Sequence, residues 1–416
     1  MPSPQPSRRS VPAADPPGVP ARRAALKVLD AVLRRGSPLE AALAGAGQGL
    51  SPPDRGLAHA LAAAVLRRLP DLDALIDSAT ERALPPDAKA RTALRIAVAQ
   101  ALVLKTPPHA AIATVLPLVD GGPRKLVHGV FGALMRRGAS LPEPPALPDS
   151  VAERWLANWG ADAVDAARRA IAETPLDLTL RDPVETGLWA ERLGATSLLP
   201  GHLRLPDGAR IAELPGYAEG AWWVQDVAAS LPARAIGPGE GRALDLCAAP
   251  GGKALQLAAQ GWDVTALDIS ESRLARLREN LARTGLSAEV VAADALAWEP
   301  GAPFDAILLD APCSATGIFR RHPDVLYRAH PGFIAEMAEL QARLLARAAA
   351  WVRPGGALVY ASCSLEPDEG ERQAERFLAG NAAFSAEGGE GVGRVLPSAF
   401  PGGNDGFFVA RFRRNA

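Results

Sequence analysis

Cysteine is scarce in this chain: three residues in 416, none in a Cys-x-x-Cys pair. That excludes a disulfide framework and the usual structural zinc spacing, and it suits a reducing cytoplasm. Six histidines are scattered, so no metal site is expected. No apolar run reaches the ~18 residues of a membrane span, so no membrane partner is expected either. Residues 1–20 hold Arg8 and Arg9 but no apolar core segment, and are read as a disordered Pro/Ser tail rather than a secretory signal. A formal net charge of −1 gives, at first sight, no reason to expect an anionic partner.

The charge is unevenly spread, however. Residues 21–137 carry 17 Lys and Arg against 9 Asp and Glu, whereas residues 138–416 carry 26 against 36. A basic front joined to an acidic remainder suggests a module facing nucleic acid attached to something else. The plainer alternative is an Arg-rich solvated helical surface. At roughly 100 to 200 residues per domain, a chain of this length should hold more than one.

The front third reads as a helical bundle. Ala24, Ala25, Val28, Leu29, Val32 and Leu33 recur at helical spacing, as do Leu57, Leu61, Val65 and Leu66, and then Leu94, Ile96, Val98, Leu102 and Leu104. Ser51-Pro52-Pro53-Asp54 and Leu84-Pro85-Pro86-Asp87 punctuate it, Pro and Asp being suited to helix starts. Arg22, Arg23, Arg67, Arg68, Arg136 and Arg137 are surface cations that could contact phosphates without reading sequence. No constellation able to do chemistry occurs here. Residues 139–150, with Leu141-Pro142-Glu143-Pro144-Pro145, form a Pro-rich linker. Residues 151–236 open with an amphipathic helix bearing Trp155 and Trp159 at i and i+4, a spacing that favours burial over base stacking.

From residue 237 the pattern becomes strand, turn, helix, repeated, which predicts a parallel α/β sheet of Rossmann-like type. The strand Ala243–Leu246 runs into Cys247-Ala248-Ala249-Pro250-Gly251-Gly252-Lys253, the next ends at Asp268, and a third leads to Asp294. Glycines after the first strand let backbone approach a nucleotide-like ligand, and an acid at the end of the second can accept both ribose hydroxyls. Neither Gly-x-Gly-x-x-Gly nor a P-loop is present. S-adenosylmethionine, with ribose and adenine but no phosphate, therefore fits better than a dinucleotide or ATP, Asp294 being placed for the adenine amino group.

Two further strands end on chemistry. Phe304–Leu309 runs into Asp310-Ala311-Pro312-Cys313, and Ala357–Tyr360 into Ala361-Ser362-Cys363-Ser364. Ligands of open α/β sheets lie beyond the carboxyl ends of strands, so Asp310, Cys313 and Cys363 should share one cleft edge. Were the acceptor a cytosine, carbon 5 would be a poor nucleophile until a thiolate added at carbon 6. Asp310 could then hydrogen-bond ring N3. A free thiol has a pKa of about 8.5, so a cation should raise the thiolate fraction, and Lys253 is the candidate. Cys247 is read as structural within the turn. Arg320, Arg321 and His322 make a cationic loop suited to phosphates, although Arg321 could instead pair with Asp324.

Across Ala21–Ala31, Asp54–Asp77 and Lys125–Arg137 the front resembles the NusB-type RNA-binding helical domain. Asp245–Lys253, Asp310–Gly317 and Ser362–Pro367 are similar to the cofactor and double-cysteine motifs of the Nop/Sun (RsmB/NOP) RNA cytosine-5 methyltransferases. The resemblance implies a class I S-adenosylmethionine-dependent methyltransferase domain over 237–416, with Cys363 as nucleophile, Cys313 assisting product release, Asp310 orienting the base and Lys253 supporting the loops. It further implies Asp268 and Asp294 as ribose and adenine contacts, and the Cys247–Lys253 turn with Asp310 around the methionine side. Arg320-Arg321-His322-Pro323-Asp324 and Asp405-Gly406-Phe407-Phe408 resemble the same family's RNA-side loop and final strand, and with the NusB-like front they imply a cytoplasmic, monomeric RsmB-type enzyme acting on 16S ribosomal RNA. Gln225-Asp226 fits the pattern. Leu180-Arg181-Asp182-Pro183 stands where the family often has Arg-x-Asn. A DNA cytosine-5 methyltransferase and a non-catalytic RNA-binding assembly factor are the rival readings.

Overall fold

The computed structural model describes residues 16–171, 175–206 and 208–416, so most of the expected N-terminal tail lies outside the described residues. The chain divides into two compact units, Met1–Ala146 and Leu147–Ala416.

The first unit is all helical, with α-helices at Val19–Arg35, Leu39–Ala46, Pro52–Arg67, Leu69–Asp77, Lys89–Leu102, Pro108–Val115 and Gly121–Arg136. The predicted apolar stripes are its core: Val28, Leu29, Val32, Leu61, Val65, Leu66, Leu94, Ile96 and Val98 are all buried. Ser51 caps the third helix by accepting the Asp54 N–H at 3.3 Å, which satisfies one of the donors a helix start leaves open. Much of the basic character turns inward. Arg95 is buried and donates twice to Asp73 at 2.7 Å, while buried Arg91 bridges Asp73 and Asp77. Two of the six arginines expected to face phosphates are buried as well. Arg22 donates to Gln100 Oε1, and Arg68 to the Pro142 carbonyl and Glu143. Their charge stabilises the bundle, which corrects the expectation for these two; Arg136 and Arg137 are exposed.

In the second unit the helix Asp149–Ala170 comes first, with non-helical backbone at Gly160. Trp155 is buried among Val151, Ala167, Phe319 and Leu365, and its ring N–H donates to Glu366; the Trp159 ring N–H donates to the Leu365 carbonyl. Both are packing residues, as their spacing predicts. A small antiparallel sheet follows, with β1 (Asp177–Leu180), β2 (Thr196–Leu199), β3 (His202–Arg204) and β4 (Trp222–Val224) in the order β2-β3-β1-β4.

The main sheet is built from β5 (Arg242–Leu246), β6 (Asp263–Asp268), β7 (Glu289–Ala292), β8 (Phe304–Asp310), β9 (Val352–Ser362), β10 (Phe384–Glu387), β11 (Gly393–Val395) and β12 (Phe407–Arg414). Its order is β10-β12-β9-β8-β5-β6-β7, with β11 also paired to β12. Strands β5 to β9 are mutually parallel, whereas β12 is antiparallel to β9, so the sheet is mixed at one side. Helices cover both faces, and two apolar clusters, one around Leu255, Leu274, Leu277 and Val359, the other around Leu309, Leu345, Leu358 and Tyr360, form the core. Pro354-Gly355-Gly356, a run that ordinarily breaks regular structure, follows the helix Pro331–Trp351 without forming a separate loop. Instead β9 begins at Val352 and the register shifts between Phe304 and Ala306, so this stretch is absorbed as an irregularity of the pairing. The chain leaves β5 toward β6 and β7 on one side and returns to β8 and β9 on the other. Between β5 and β8 lies the topological switch point at which open α/β sheets bind ligands.

Candidate active site

All five parallel strands deliver their carboxyl ends to one edge. After β5 the chain turns at Gly251, in the left-handed region at φ 112°, where a Cβ would lie 2.3 Å from Leu277 Cδ1. Only glycine fits so tight a turn against that helix. Asp268, buried at the end of β6, accepts the Ala249 N–H at 3.1 Å and the Ser270 N–H at 2.8 Å, which ties the first turn to the second strand. Arg273 Nη1 also lies 3.7 Å from Asp268 Oδ2. Ile269, beside it, is 73% exposed, an apolar surface of the kind a flat ring covers. Asp294 lies beyond β7, exposed, its Oδ1 accepting the Leu296 N–H at 2.9 Å. A backbone turn, a buried acid and an uncovered apolar side chain together suit a nucleoside without phosphate, and Cys247–Lys253, Asp268, Asp294 and Asp310 are the residues that would hold S-adenosylmethionine.

The two thiols meet. Cys313 Sγ and Cys363 Sγ are 3.4 Å apart and half-buried, on the loops after neighbouring strands β8 and β9. The Gly317 N–H donates to the Cys363 carbonyl, and the Gly406 N–H to the Gly317 carbonyl, each at 2.9 Å, which laces three loops together. A Cβ on Gly317 would lie 2.0 Å from the Gly406 oxygen, so backbone packs on backbone here. The hydrogen bond to Cys363, followed by burial, pushes the Cys313 thiol well above its ordinary pKa. A thiolate is therefore disfavoured at Cys313.

Lys253 does not contact either thiol. Its Nζ donates to Asp310 Oδ2 at 2.7 Å and sits 5.3 Å from the centre of the Phe407 ring. Burial works against its charge, but Asp310, Asp245 and Cys363 more than offset this and raise its pKa. Lys253 is therefore linked to Cys363 through space, while its hydrogen bond goes to Asp310.

In the cationic loop, Arg320 is fully buried, so its side chain has no surface from which to reach a phosphate; that expectation is corrected. Arg321 is partly exposed and pairs with buried Asp405 instead of Asp324, which pairs with Arg328. His322 is half-buried at the mouth of this loop. Asp226 accepts the Ala228 and Asp405 N–H groups, joining the final strand's entry to the helix Val227–Ile236. At the departure from the family pattern, Arg181 donates to the Thr284 carbonyl and Asp182 accepts the Val184 N–H. Among the described residues, no group of three or more His, Cys, Asp or Glu is arranged to hold a metal, and no helix is long and apolar enough to cross a membrane.

Asp245 and Asp405 were not singled out from sequence. An acid inside the apolar run Ala243-Leu244-Asp245-Leu246 was the available signal for the first. Asp245 is wholly buried, and the fold gives its oxygens no hydrogen-bond donor of normal geometry. Burial, opposed by Lys253 and reinforced by Asp310 and Asp268, raises its pKa to about 8. The folded value lies above the unfolded one, so the neutral acid favours the fold at low pH, and that stability is lost as pH rises from about 4 through about 8. The melting temperature of Asp245→Asn should accordingly fall less between pH 5 and 8 than that of the wild type, which differential scanning calorimetry at stepped pH would read. Parallel curves would show that the side chain is ionised in the fold.

A switch-point cleft with nucleoside-binding acids on one side and a thiol pair on the other defines a Rossmann-like, S-adenosylmethionine-dependent methyltransferase. The profile of the family "16S rRNA methyltransferase RsmB/F" matches residues 235–413, and that of the NusB family residues 19–136. With 38% identity over 94% of this chain and 97% of a "Ribosomal RNA small subunit methyltransferase B" from Xanthomonas campestris pv. campestris, the chain belongs to the RsmB family of RNA methyltransferases. A relative of the same description from Xylella fastidiosa is also 38% identical, over 76% of this chain and 79% of its own. In fold, a methyltransferase homologue from Pyrococcus horikoshii superposes with a TM-score of 0.54 at 25% identity, covering 68% of this chain and 98% of that one.

Proposed function

We propose that this protein methylates carbon 5 of a cytosine in 16S ribosomal RNA through a covalent adduct at carbon 6, acting as a cytoplasmic monomer. The observation that carries the reading is the 3.4 Å approach of Cys313 and Cys363 beside the Lys253–Asp310 pair. Cytosine needs a thiolate at carbon 6 before carbon 5 can attack an electrophile. Cys363 suits that role because a thiolate is disfavoured at Cys313, and because Lys253 and Arg321 both lie within electrostatic range of Cys363.

As Cys363 Sγ bonds to carbon 6, the ring π electrons move onto N3, which takes up a proton relayed from the Lys253 ammonium through Asp310. Asp310 then accepts the hydrogen bond from that N3–H and holds the adduct in register. Bound S-adenosylmethionine supplies an electrophilic methyl group to carbon 5. Transfer of the carbon 5 proton to solvent and return of the N3 proton to Asp310 restore the ring as the carbon 6–sulfur bond breaks, and the Cys313 thiol assists by hydrogen-bonding to the departing Cys363 sulfur. A DNA-type mechanism would make Cys313 the nucleophile, and its raised pKa speaks against that.

The exposed cations of the basic front, and separately the Arg321–His322 loop, would bind RNA phosphates. Mapping 5-methylcytosine across ribosomal RNA from cells with and without the gene tests the proposal. One 16S position should lose its methyl group in the deletion strain and regain it on complementation. An unchanged map would refute the assigned substrate.

A further inference from the structure

Glu369 ends a 3-10 turn, Pro367–Glu369, that follows the Cys363 loop, and it is wholly buried. A carboxylate in such a place is costly unless donors surround it. Here Oε1 accepts the Ser314 N–H at 2.8 Å and the Gln341 side-chain N–H at 3.0 Å, while Oε2 accepts the Ser364 hydroxyl at 2.6 Å and the Ser314 hydroxyl. Ser314 directly follows Cys313, and Ser364 directly follows Cys363. The Glu369 carbonyl adds two more anchors, accepting Tyr360 Oη at 2.7 Å and Ser362 Oγ at 2.9 Å at the end of β9. One acid thus grips the residue next to each thiol and the strand that leads to one of them.

We propose that Glu369 is a positioning residue whose carboxylate clamps the two cysteine loops and sets the 3.4 Å separation of their sulfurs. As regards methyl transfer, this rests on the two-cysteine reading above. Glu369 touches neither thiol. Its effect is geometric: a nucleophile must stand about 3 to 3.5 Å from the carbon it attacks, and drift of about an ångström can cost about 100-fold.

The test uses full-length Glu369→Gln. The amide can accept on one side only, and its NH₂ would face the two hydroxyls that now donate to Oε2. Single-turnover methylation of 16S RNA should fall roughly 10- to 100-fold, with the Kd for S-adenosylmethionine within about twofold of wild type. The sulfur spacing is read separately by diamide, which takes two electrons and two protons from a pair of thiols to leave a disulfide. Crosslinking of Cys313 to Cys363 should slow about tenfold on the same geometric ground. Ser314→Ala and Ser364→Ala each remove one arm and leave the carboxylate its other donors, so they supply the same readouts if Glu369→Gln folds poorly. Their losses should not add to that of Glu369→Gln, as residues acting in one network do not. Wild-type methylation and wild-type crosslinking in Glu369→Gln would overturn the clamp, as would full additivity. The two-cysteine reading fails by a different result, full methyl transfer by Cys363→Ala, and the crosslinking rate tests the clamp even then.

Discussion

Cys363→Ala should abolish methyl transfer, by about 10⁴-fold or more, because it removes the thiolate whose addition at carbon 6 activates carbon 5. Cys313→Ala should behave differently. Addition at carbon 6 and transfer to carbon 5 would proceed, but expulsion of Cys363 would slow, and a covalent protein–RNA species should build up on denaturing gels when S-adenosylmethionine is present. The asymmetry follows from the site: the sulfurs are equivalent in chemistry and 3.4 Å apart, yet a thiolate is disfavoured at Cys313 by its hydrogen bond and by burial. The opposite pattern, adduct with Cys363→Ala and none with Cys313→Ala, would assign the nucleophile to the Asp310–Cys313 loop and favour the DNA-type mechanism. Methylation by both variants at the wild-type rate would remove covalent catalysis altogether.

Lys253→Met should be the next most damaging change. Its ammonium hydrogen-bonds the Asp310 carboxylate at 2.7 Å, and it also moderates wholly buried Asp245. Without it, Asp310 loses both the cation that orients it and the source of the proton taken up at N3. The single-turnover rate should fall by about 10² to 10³, the usual cost of losing one preorganised electrostatic contact. Breaking a largely buried pair should also lower stability by about 3 kcal/mol, visible as a reduced denaturant midpoint. Asp310→Asn in the Lys253→Met background should add little, since the two act as one unit. If Lys253→Met retains the wild-type rate, the pair is a packing feature and Asp310 needs no cation to do its work.

Strand ends, glycine turns and helix periods are local properties, and they were legible as such. The helix Glu271–Thr284 starts where Ser270 caps it, and the strand Asp263–Asp268 ends on the acid its pattern places there. The Cys313 and Cys363 loops could be assigned to one edge because parallel strands deliver their carboxyl ends together. Arg22, Arg68, Arg91 and Arg95 were not legible as structural cations. An arginine on an amphipathic helix looks the same in sequence whether it meets phosphate or an aspartate brought from another helix. Nor could Pro354-Gly355-Gly356 be seen as part of a strand, since its irregular pairing depends on β8.

By itself, the sequence determined the order of elements, the helical front, the parallel sheet and the set of acids and thiols at its edge, for these depend on periodicity and on chain direction. Tertiary structure alone decided the partnerships. That Lys253 bonds Asp310 and not a thiol, that Arg321 meets Asp405, and that Glu369 grips Ser314 and Ser364 depend on residues up to 84 positions apart in the chain. The physical reason is that a buried charge takes whichever donor or acceptor the packed core brings within about 3 Å, and no spacing along the chain encodes that distance.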